Sequence, residues 1–461
     1  MFVSEPHFYK AFPYRSFLIF TLLLTLLAEV LPYLFPQSGA SPLHAVLLPL
    51  GATDTYLSAA SLGAFIIYGL TFKPSYREWI SVIIVGLALE VWWHNHRLER
   101  LPAGLLNTWA LVIRWGIGLG MAALGAIFYR ALKTKDPQER TKAWATLTFA
   151  ALLPWWEILT LPIRQLFSDI QLPLQGQVFD FALYYIDYLL GFMPNLYFAN
   201  LVYNQYPALY PFFLIVYAWL ALFMLLAAWQ NFLAPSRSLC NPLLFFIFLG
   251  LVGTSCYNFV PAVGTNALLG SLFPAGPYPP PPSPETVIDA PAGLFRNAMP
   301  SLHMGWMIAC LWAIAPYRSS MRTLLWIVTP LMFIATCSIG EHYLIDMVMS
   351  FPCLLLCYAL ATPWLKPTLP WKLTAIALGA LTLFGPLYII RFHPTLLTLG
   401  VVPVWGTALI LIALSYLGKY QLDRVYLRVK AQAGSTSPAP SELEDSKVSE
   451  LDSPSAGAPS P

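Results

Sequence analysis

Two histidines and one aspartate have the types and spacing that nucleophilic and acid–base chemistry require. His342 and Asp346 are four residues apart in the stretch SIGEHYLIDM, so a helix that begins near Glu341 would place both on one face. The carboxylate would then accept a hydrogen bond from one ring nitrogen of His342 and leave the other nitrogen free to attack. His303, in the stretch PSLHMGW, would protonate the departing oxygen. The predicted catalytic set is therefore a nucleophile, its orienting carboxylate and a general acid.

The residues around His303 favour a phosphate ester as the substrate. Ser301 and His303 follow a proline in a pattern that is typical of a helix start, whose free backbone N–H groups bind anions. Arg296 is close in the sequence and would clamp two phosphate oxygens. A transferring phosphoryl group needs positioning and charge stabilisation above all. We therefore predict that Arg296 and Ser301 bind the substrate, and that Tyr257 and Asn258 line the same site.

The composition places these residues in a membrane protein. The chain of 461 residues is 58% hydrophobic and 10% charged, which leaves too little polar surface for a soluble globule. Apolar runs of roughly 17–25 residues, the length that crosses ~30 Å of hydrocarbon, number about twelve. The predicted fold class is an all-α, polytopic membrane protein. The net charge of +3 comes from short Lys and Arg clusters, so we expect no nucleic-acid partner.

The apolar segments should return both histidines to one side of the bilayer. A helix that starts near His303 descends ~22 Å over about 15 residues, and the return helix over residues 323–339 climbs a similar height. Lys and Arg fall in alternate gaps between the spans, and such gaps face the cytoplasm. Both termini are thus predicted to be cytoplasmic and the site extracytoplasmic or luminal. An aromatic run that carries Asp180 and Asp187 is predicted to lie in the membrane interface.

The two motifs resemble those of the type 2 phosphatidic acid phosphatase superfamily, and in particular of its inositol phosphorylceramide synthase-like (inositolphosphotransferase) branch. The resemblance is carried by Pro-Ser-Leu-His at 300–303 and Gly-Glu-His-Tyr-Leu-Ile-Asp at 340–346, and covers roughly residues 143–362. It implies a six-helix membrane core. It also implies a phosphohistidine intermediate on His342, with Asp346 beside it and His303 as the acid, and no cofactor or metal.

Three features depart from the phosphatases of that superfamily. Leu302 stands where they commonly have glycine, Ala335-Thr336 stand where they have Ser-Arg, and no clear Lys…Arg-Pro motif precedes the site. Two of the usual phosphate-binding cations are therefore missing. The synthase-like branch tolerates such losses, and its members transfer a phosphorylated head group between lipids. We expect a lipid phosphate or phospholipid substrate, with a lipid alcohol as acceptor if the reaction is a transfer; the motifs do not separate hydrolysis from transfer.

The sequence divides into four predicted parts. Residues 1–142 form an N-terminal transmembrane module, residues 143–362 the phosphatase-like core, residues 363–430 two further helices with a basic cytoplasmic end, and residues 431–461 a disordered tail. The N-terminal module is given no role, although Asp54, predicted in the first outer loop, would suit a module that resembles lipid-linked glycosyltransferases.

Two other classes of function fit parts of the same pattern. Two histidines and a carboxylate with an open position also describe a hydrolytic zinc site, although the sequence has no HExxH motif. A transporter with a His/Asp proton relay would suit about twelve helices, but its key residues should lie near the bilayer midplane. The positions at helix ends favour the enzyme.

Overall fold

The chain is almost entirely helical in the residues that the computed structural model describes, which confirms the all-α expectation. The described residues are 14–34, 51–95, 116–151, 155, 177–233, 239–274, 276, 278–289, 296–314 and 320–435. The one β pairing among them is antiparallel and short, between β1 (Gln177–Val178) and β2 (Ile288–Asp289).

Four helices begin the described chain: α1 (Tyr14–Leu34), α2 (Gly51–Phe72), α3 (Tyr76–Asn95) and α4 (Ile117–Lys133); residues 137–151 are helical as well. Helices α2, α3 and α4 pack closely, and glycine is required at this packing because a Cβ on Gly118 would lie 2.3 Å from the carbonyl oxygen of Gly86. Glu90 accepts hydrogen bonds from the N–H groups of Gly116 and Gly118 where α4 begins. Asp54 lies in the first turn of α2 rather than in a loop.

Nine helices build the middle of the chain, and they position the site. They are α5 (Asp180–Leu189), α6 (Pro194–Asn200), α7 (Tyr210–Ala218), α8 (Leu220–Leu233), α9 (Pro242–Phe259), α10 (Thr265–Leu269), α11 (Leu302–Ile314), α12 (Ser320–Ile339) and α13 (Leu344–Ala361). Every residue of α11 is buried, since α8, α9, α12 and α13 all pack against it. Helix α2 packs against α8, where Trp229 Nε1 donates to Thr71 Oγ1 at 3.0 Å.

Two long helices end the described chain, α14 (Leu369–Phe392) and α15 (Val401–Ser435), and both pack against α13. Lys372 of α14 is fully buried and donates from Nζ to the carbonyl oxygens of Leu360 and Thr362, at the C-terminal end of α13. A positive charge is favourable there because it opposes the helix dipole. Helix α15 continues to Ser435, past the predicted start of the tail at residue 431; the rest of the predicted tail lies outside the described residues.

Several helices are long and apolar enough to cross a membrane, which supports a multi-pass membrane protein. Among the described residues there are five: Pro242–Phe259, Ser320–Ile339, Leu344–Ala361, Lys366–Phe392 and Val401–Gln432. Helices α7 and α8 would form a sixth if their 41° bend is a break within one span.

The expected twelve spans are therefore not found in the described part of the chain. Helix α11 has 13 residues, which cover about 20 Å and fall short of the hydrocarbon thickness. Helix α3 carries Arg77, Glu78 and Glu90 within its apolar stretch. The spans predicted at 106–130 and 143–167 lie partly outside the described residues. The division of the chain at residues 142 and 362 stays a prediction.

Gly253 on α9 makes room for Leu302 at the start of α11. A Cβ at position 253 would lie 2.4 Å from Leu302 Cδ2, well inside van der Waals contact. Leu302 itself is buried. The leucine that stands where the resemblance would place a glycine is thus accommodated by a glycine on the facing helix.

This contact predicts a steric coupling between positions 253 and 302. Gly253→Ala should lower the free energy of unfolding by about 1–3 kcal/mol, because the added methyl group overlaps Leu302. In a double-mutant cycle read by thermal unfolding in detergent, Leu302→Ala should recover part of that loss. Gly250→Ala is the matched control on the same helix, since its Cβ would meet Trp306 at an ordinary 3.4 Å. Equal losses in the two alanine variants, or additive effects in the cycle, would contradict the coupling.

Candidate active site

Hydrogen bonds between loops bring three distant segments together around the two histidines. The segments are residues 261–266 after α9, residues 296–303 at the start of α11, and residues 340–346 at the start of α13. The bonds that join them run from Ala298 N to Ala262 O at 3.1 Å, from Ser301 N to Asp346 O at 3.0 Å, and from Asn266 N to Gly340 O at 2.8 Å. These bonds join backbone atoms, so they fix the position of the segment that carries His303 relative to the segment that carries His342.

His342 is held by a backbone carbonyl. Its Nδ1 lies 2.7 Å from the carbonyl oxygen of Ala298. A carbonyl oxygen only accepts hydrogen bonds, so Nδ1 carries the proton of the neutral ring and Nε2 carries a lone pair. The ring is buried, and no described residue forms a hydrogen bond with Nε2. This tautomer leaves Nε2 as the nucleophilic atom.

The expected hydrogen bond between Asp346 and His342 is not formed. Helix α13 begins at Leu344, so His342 lies in the turn before it and not one turn from Asp346 on a shared helical face. Asp346 Oδ2 is 3.7 Å from His342 Nδ1 and accepts instead from Tyr343 N at 2.6 Å. Ala298 therefore orients the ring, whereas Asp346 lies close enough to stabilise a positive ring by its charge. The catalytic role of Asp346 stays a prediction.

His303 faces His342 from the first turn of α11. The two ring centroids are 6.1 Å apart, and His303 is buried. The predicted meeting of the two histidines is thus confirmed. The two rings are therefore close enough to contact the same small group.

Tyr217, at the end of α7, lies directly on the other side of His303. Its ring stacks on the imidazole with centroids 3.7 Å apart and planes inclined by 19°. The Tyr217 hydroxyl donates to Glu341 Oε2 at 2.8 Å. Sequence reasoning missed Tyr217, because it is one of many aromatic residues in an apolar stretch.

The four predicted substrate-binding residues differ in their burial and in their contacts. Ser301 is buried within the site, and its hydroxyl has no hydrogen-bond partner among the described residues. Arg296 is partly exposed, two residues before Ala298, and forms no ion pair with a described residue. Tyr257 and Asn258 lie in the last turn of α9, partly buried, just before the segment that binds Ala298. Their roles with substrate stay predictions.

Three buried polar atoms of the site lack a hydrogen-bond partner among the described residues: Ser301 Oγ, His342 Nε2 and Asp346 Oδ1. Buried polar atoms in folded proteins normally have partners. Their concentration here is typical of a site that binds a polar ligand. The described side chains include no group of three or more His, Cys, Asp or Glu that could hold a metal ion.

Asp187 caps the helix that follows the nucleophile. Its carboxylate accepts from the N–H groups of Leu344 at 2.7 Å and Ile345 at 3.1 Å, which are two of the donors that α13 leaves unsatisfied at its start. These acceptor oxygens also complement the partial positive charge at the start of the helix. Burial raises the pKa of Asp187 well above its usual range, and the two N–H donors oppose that rise.

Asp180 binds the two loops on either side of His342. It accepts from Val263 N at 2.9 Å, Gly264 N at 2.8 Å and the hydroxyl of Tyr343 at 2.8 Å. Burial raises the pKa of Asp180 to about 7, although these three donors lower it in part.

Helix α5 therefore packs against the site; its location in the membrane interface stays a prediction. Its residues from Asp180 to Asp187 are mostly buried. The spacing of seven residues between the two acids, which is about two helical turns, puts both on one face. That spacing is the signal that would have identified them as a pair aimed at the core.

The cap predicts that Asp187 supports both stability and activity. Asp187→Asn should lower the free energy of unfolding by about 1–3 kcal/mol, because one amide oxygen cannot serve both N–H groups as the carboxylate does. Thermal unfolding in detergent measures this, and phosphate release from a lipid phosphate should fall in the same variant. Asp289→Asn removes an exposed carboxylate on β2 and is the control, with a change within about 0.5 kcal/mol. Two indistinguishable variants would show that the cap is not needed.

Comparison with known proteins supports the family suggested by the motifs. No curated protein and no solved structure matches the chain. A family model does match, that of the PAP2 superfamily, over a range that contains both histidines, Asp346, Tyr217 and Asp187; the inositol phosphorylceramide synthase-like branch is not confirmed. The match supports an enzyme of the phosphatase or phosphotransferase type. The match covers residues 182–360, and this part of the chain is thus similar to the PAP2 superfamily.

Proposed function

We propose that this chain is an integral-membrane phosphotransferase or phosphatase that acts on a lipid-linked phosphate through a phosphohistidine on His342, as in enzymes of the inositol phosphorylceramide synthase type. The observation that carries the proposal is the state of the His342 ring. Its Nδ1 donates to a carbonyl oxygen at 2.7 Å, its buried Nε2 has no described partner, and the centroid of the ring lies 6.1 Å from that of a second histidine. A nucleophile and a proton donor on opposite sides of one space are what phosphoryl transfer requires.

The proposed reaction has two balanced steps. In the first, the Nε2 lone pair of His342 forms a bond to phosphorus, the bond to the leaving oxygen breaks with its electron pair, and that oxygen takes a proton from His303. In the second, neutral His303 removes a proton from water or from a lipid hydroxyl, whose oxygen attacks phosphorus and displaces Nε2. The charge of Asp346, 3.7 Å from Nδ1, stabilises the ring while it carries the phosphoryl group.

The substrate phosphate is proposed to bind at the start of α11. The first N–H groups of this helix have no partner within the helix and favour an anion. The Ser301 hydroxyl and the Arg296 guanidinium add two donors on the same segment. Tyr257 and Asn258 would line the side from which the lipid acceptor enters. In this proposal the site opens to the extracytoplasmic or luminal face, and both termini are cytoplasmic.

A reaction that passes through a phosphohistidine should transfer a phosphorus label from the lipid to the protein itself. Purified protein incubated with phosphorus-labelled phosphatidic acid and labelled phosphatidylinositol, each with and without a lipid alcohol, should acquire an acid-labile label and release product. His342→Ala should abolish both, and His303→Ala should slow product release by about 10²–10⁴-fold, the usual contribution of a general acid. His393→Ala is the control, since His393 is exposed at the end of α14.

The outcomes separate the competing functions. Product that requires the lipid alcohol identifies a transferase, and product without it a phosphatase. Turnover that is lost with a chelator and restored by zinc would instead indicate a metal-dependent hydrolase. Equal turnover by wild type and His342→Ala would contradict the proposal and leave the proton-relay transporter as the better hypothesis.

The orientation predicts which loops an impermeant thiol reagent reaches. The six native cysteines are buried, so they give little background. Ser283→Cys, in the exposed loop before β2, should react with a membrane-impermeant maleimide in sealed right-side-out vesicles, and Asp136→Cys should react only after permeabilisation. Both positions are exposed, so access depends on the side of the membrane. The reverse pattern would place the site on the cytoplasmic face.

A further inference from the structure

Tyr217 connects the two segments that carry the histidines. It belongs to α7, which packs against α12. One face of its ring stacks on His303, and its hydroxyl donates to Glu341, the residue directly before His342. Tyr217 thus connects the start of α11 and the turn before α13 to a third helix, α7.

Tyr217 lies next to the break between α7 and α8. Helix α7 ends at Ala218, Trp219 is not helical, and the two helices are bent by 41°. The tyrosine is almost fully buried there, so its ring has little freedom.

Each of the two contacts restricts a different motion. Stacking restricts the rotation of the His303 ring about its Cβ–Cγ bond, which determines where the ring nitrogens point. A protonated imidazole is also attracted to the face of a tyrosine ring. The hydrogen bond from the tyrosine hydroxyl to the Glu341 carboxylate is charge-assisted and therefore stronger than a neutral one. It restricts the movement of the tyrosine side chain.

We infer that Tyr217 and Glu341 form a positioning pair that keeps the proton-bearing nitrogen of His303 aimed at the leaving oxygen. The inference rests on the proposed function, because it assigns a task within the same reaction. Neither residue touches phosphorus or gives up a proton. Their contribution is geometric, and it should be visible only where the leaving oxygen needs a proton from His303.

Leaving groups of different basicity test this task directly. An alkoxide leaves slowly unless it is protonated, whereas 4-nitrophenolate is stable as an anion and needs little help. The probes are dodecyl phosphate and 4-nitrophenyl phosphate, and the measured quantity is kcat/KM, which reports the step in which the ester bond breaks. The full-length protein in detergent is used throughout.

The expected result is a loss that depends on the substrate. Tyr217→Leu should lower kcat/KM for dodecyl phosphate by about 10–100-fold, the usual effect of a small misplacement of a reacting group, and change it by less than about threefold for 4-nitrophenyl phosphate. Tyr217→Phe, which keeps the ring but not the hydroxyl, and Glu341→Ala should show the same selectivity in weaker form. Tyr210→Leu is the control on the same helix; the Tyr210 ring packs at a tilt of 38° against Tyr203, and both esters should respond equally.

Each outcome decides the inference. Equal losses on both esters in Tyr217→Leu, Tyr217→Phe and Glu341→Ala would show a structural role only and overturn it. If Tyr217→Leu unfolds, the Tyr217→Phe and Glu341→Ala results decide in the same way. Equal turnover by wild type and His342→Ala would overturn the proposed function itself. The two failures are distinguishable because this one is read from the His342 variant, and failure of the inference is read from the Tyr217 and Glu341 variants.

Discussion

The hydrogen bond from His342 Nδ1 to the carbonyl oxygen of Ala298 is the interaction on which the site depends. It selects the ring tautomer, and it also joins the segment before α11 to the turn before α13. A backbone carbonyl is a fixed acceptor that cannot rotate away or become protonated. The ring is therefore held without Asp346, which in the proposed reaction would balance the charge of the ring.

Buried carboxylates hold the backbone segments around His342 in place. Asp180 and Asp187 accept hydrogen bonds from backbone N–H groups on both sides of His342, and Asp346 does so from within α13. At the other end of α13, buried Lys372 donates to the last carbonyl groups. The first N–H groups of α13 thus donate to a buried carboxyl group and its last carbonyl groups accept from a lysine, an arrangement that the helix dipole favours. His342 lies next to a helix whose ends are both held by side chains.

Much of what the motifs predicted follows from the chemistry of the residue types and from the lengths of the helices. The composition required a membrane, and helix rise alone indicated that a hairpin would return His303 and His342 to one level, which their ring distance confirms. The start of α13 was misjudged by three residues, because Tyr343 serves as its N-cap and Glu341 and His342 stay in the turn. Fewer than twelve spans are found in the described part of the chain, because apolar stretches such as α11 are also what a buried helix of a large bundle needs.

The sequence by itself determined the helical membrane class, the two histidines and the aspartate beside them, because these depend on residue type and on spacing within one segment. Only the tertiary structure decided which groups hold these three side chains in place. The partners lie far away in the chain: Ala298 is 44 residues from His342, Tyr217 is 124 residues from Glu341, and Asp187 is 157 residues from Leu344. No helical periodicity or motif spacing encodes such pairs, since they arise from how whole helices pack and bend.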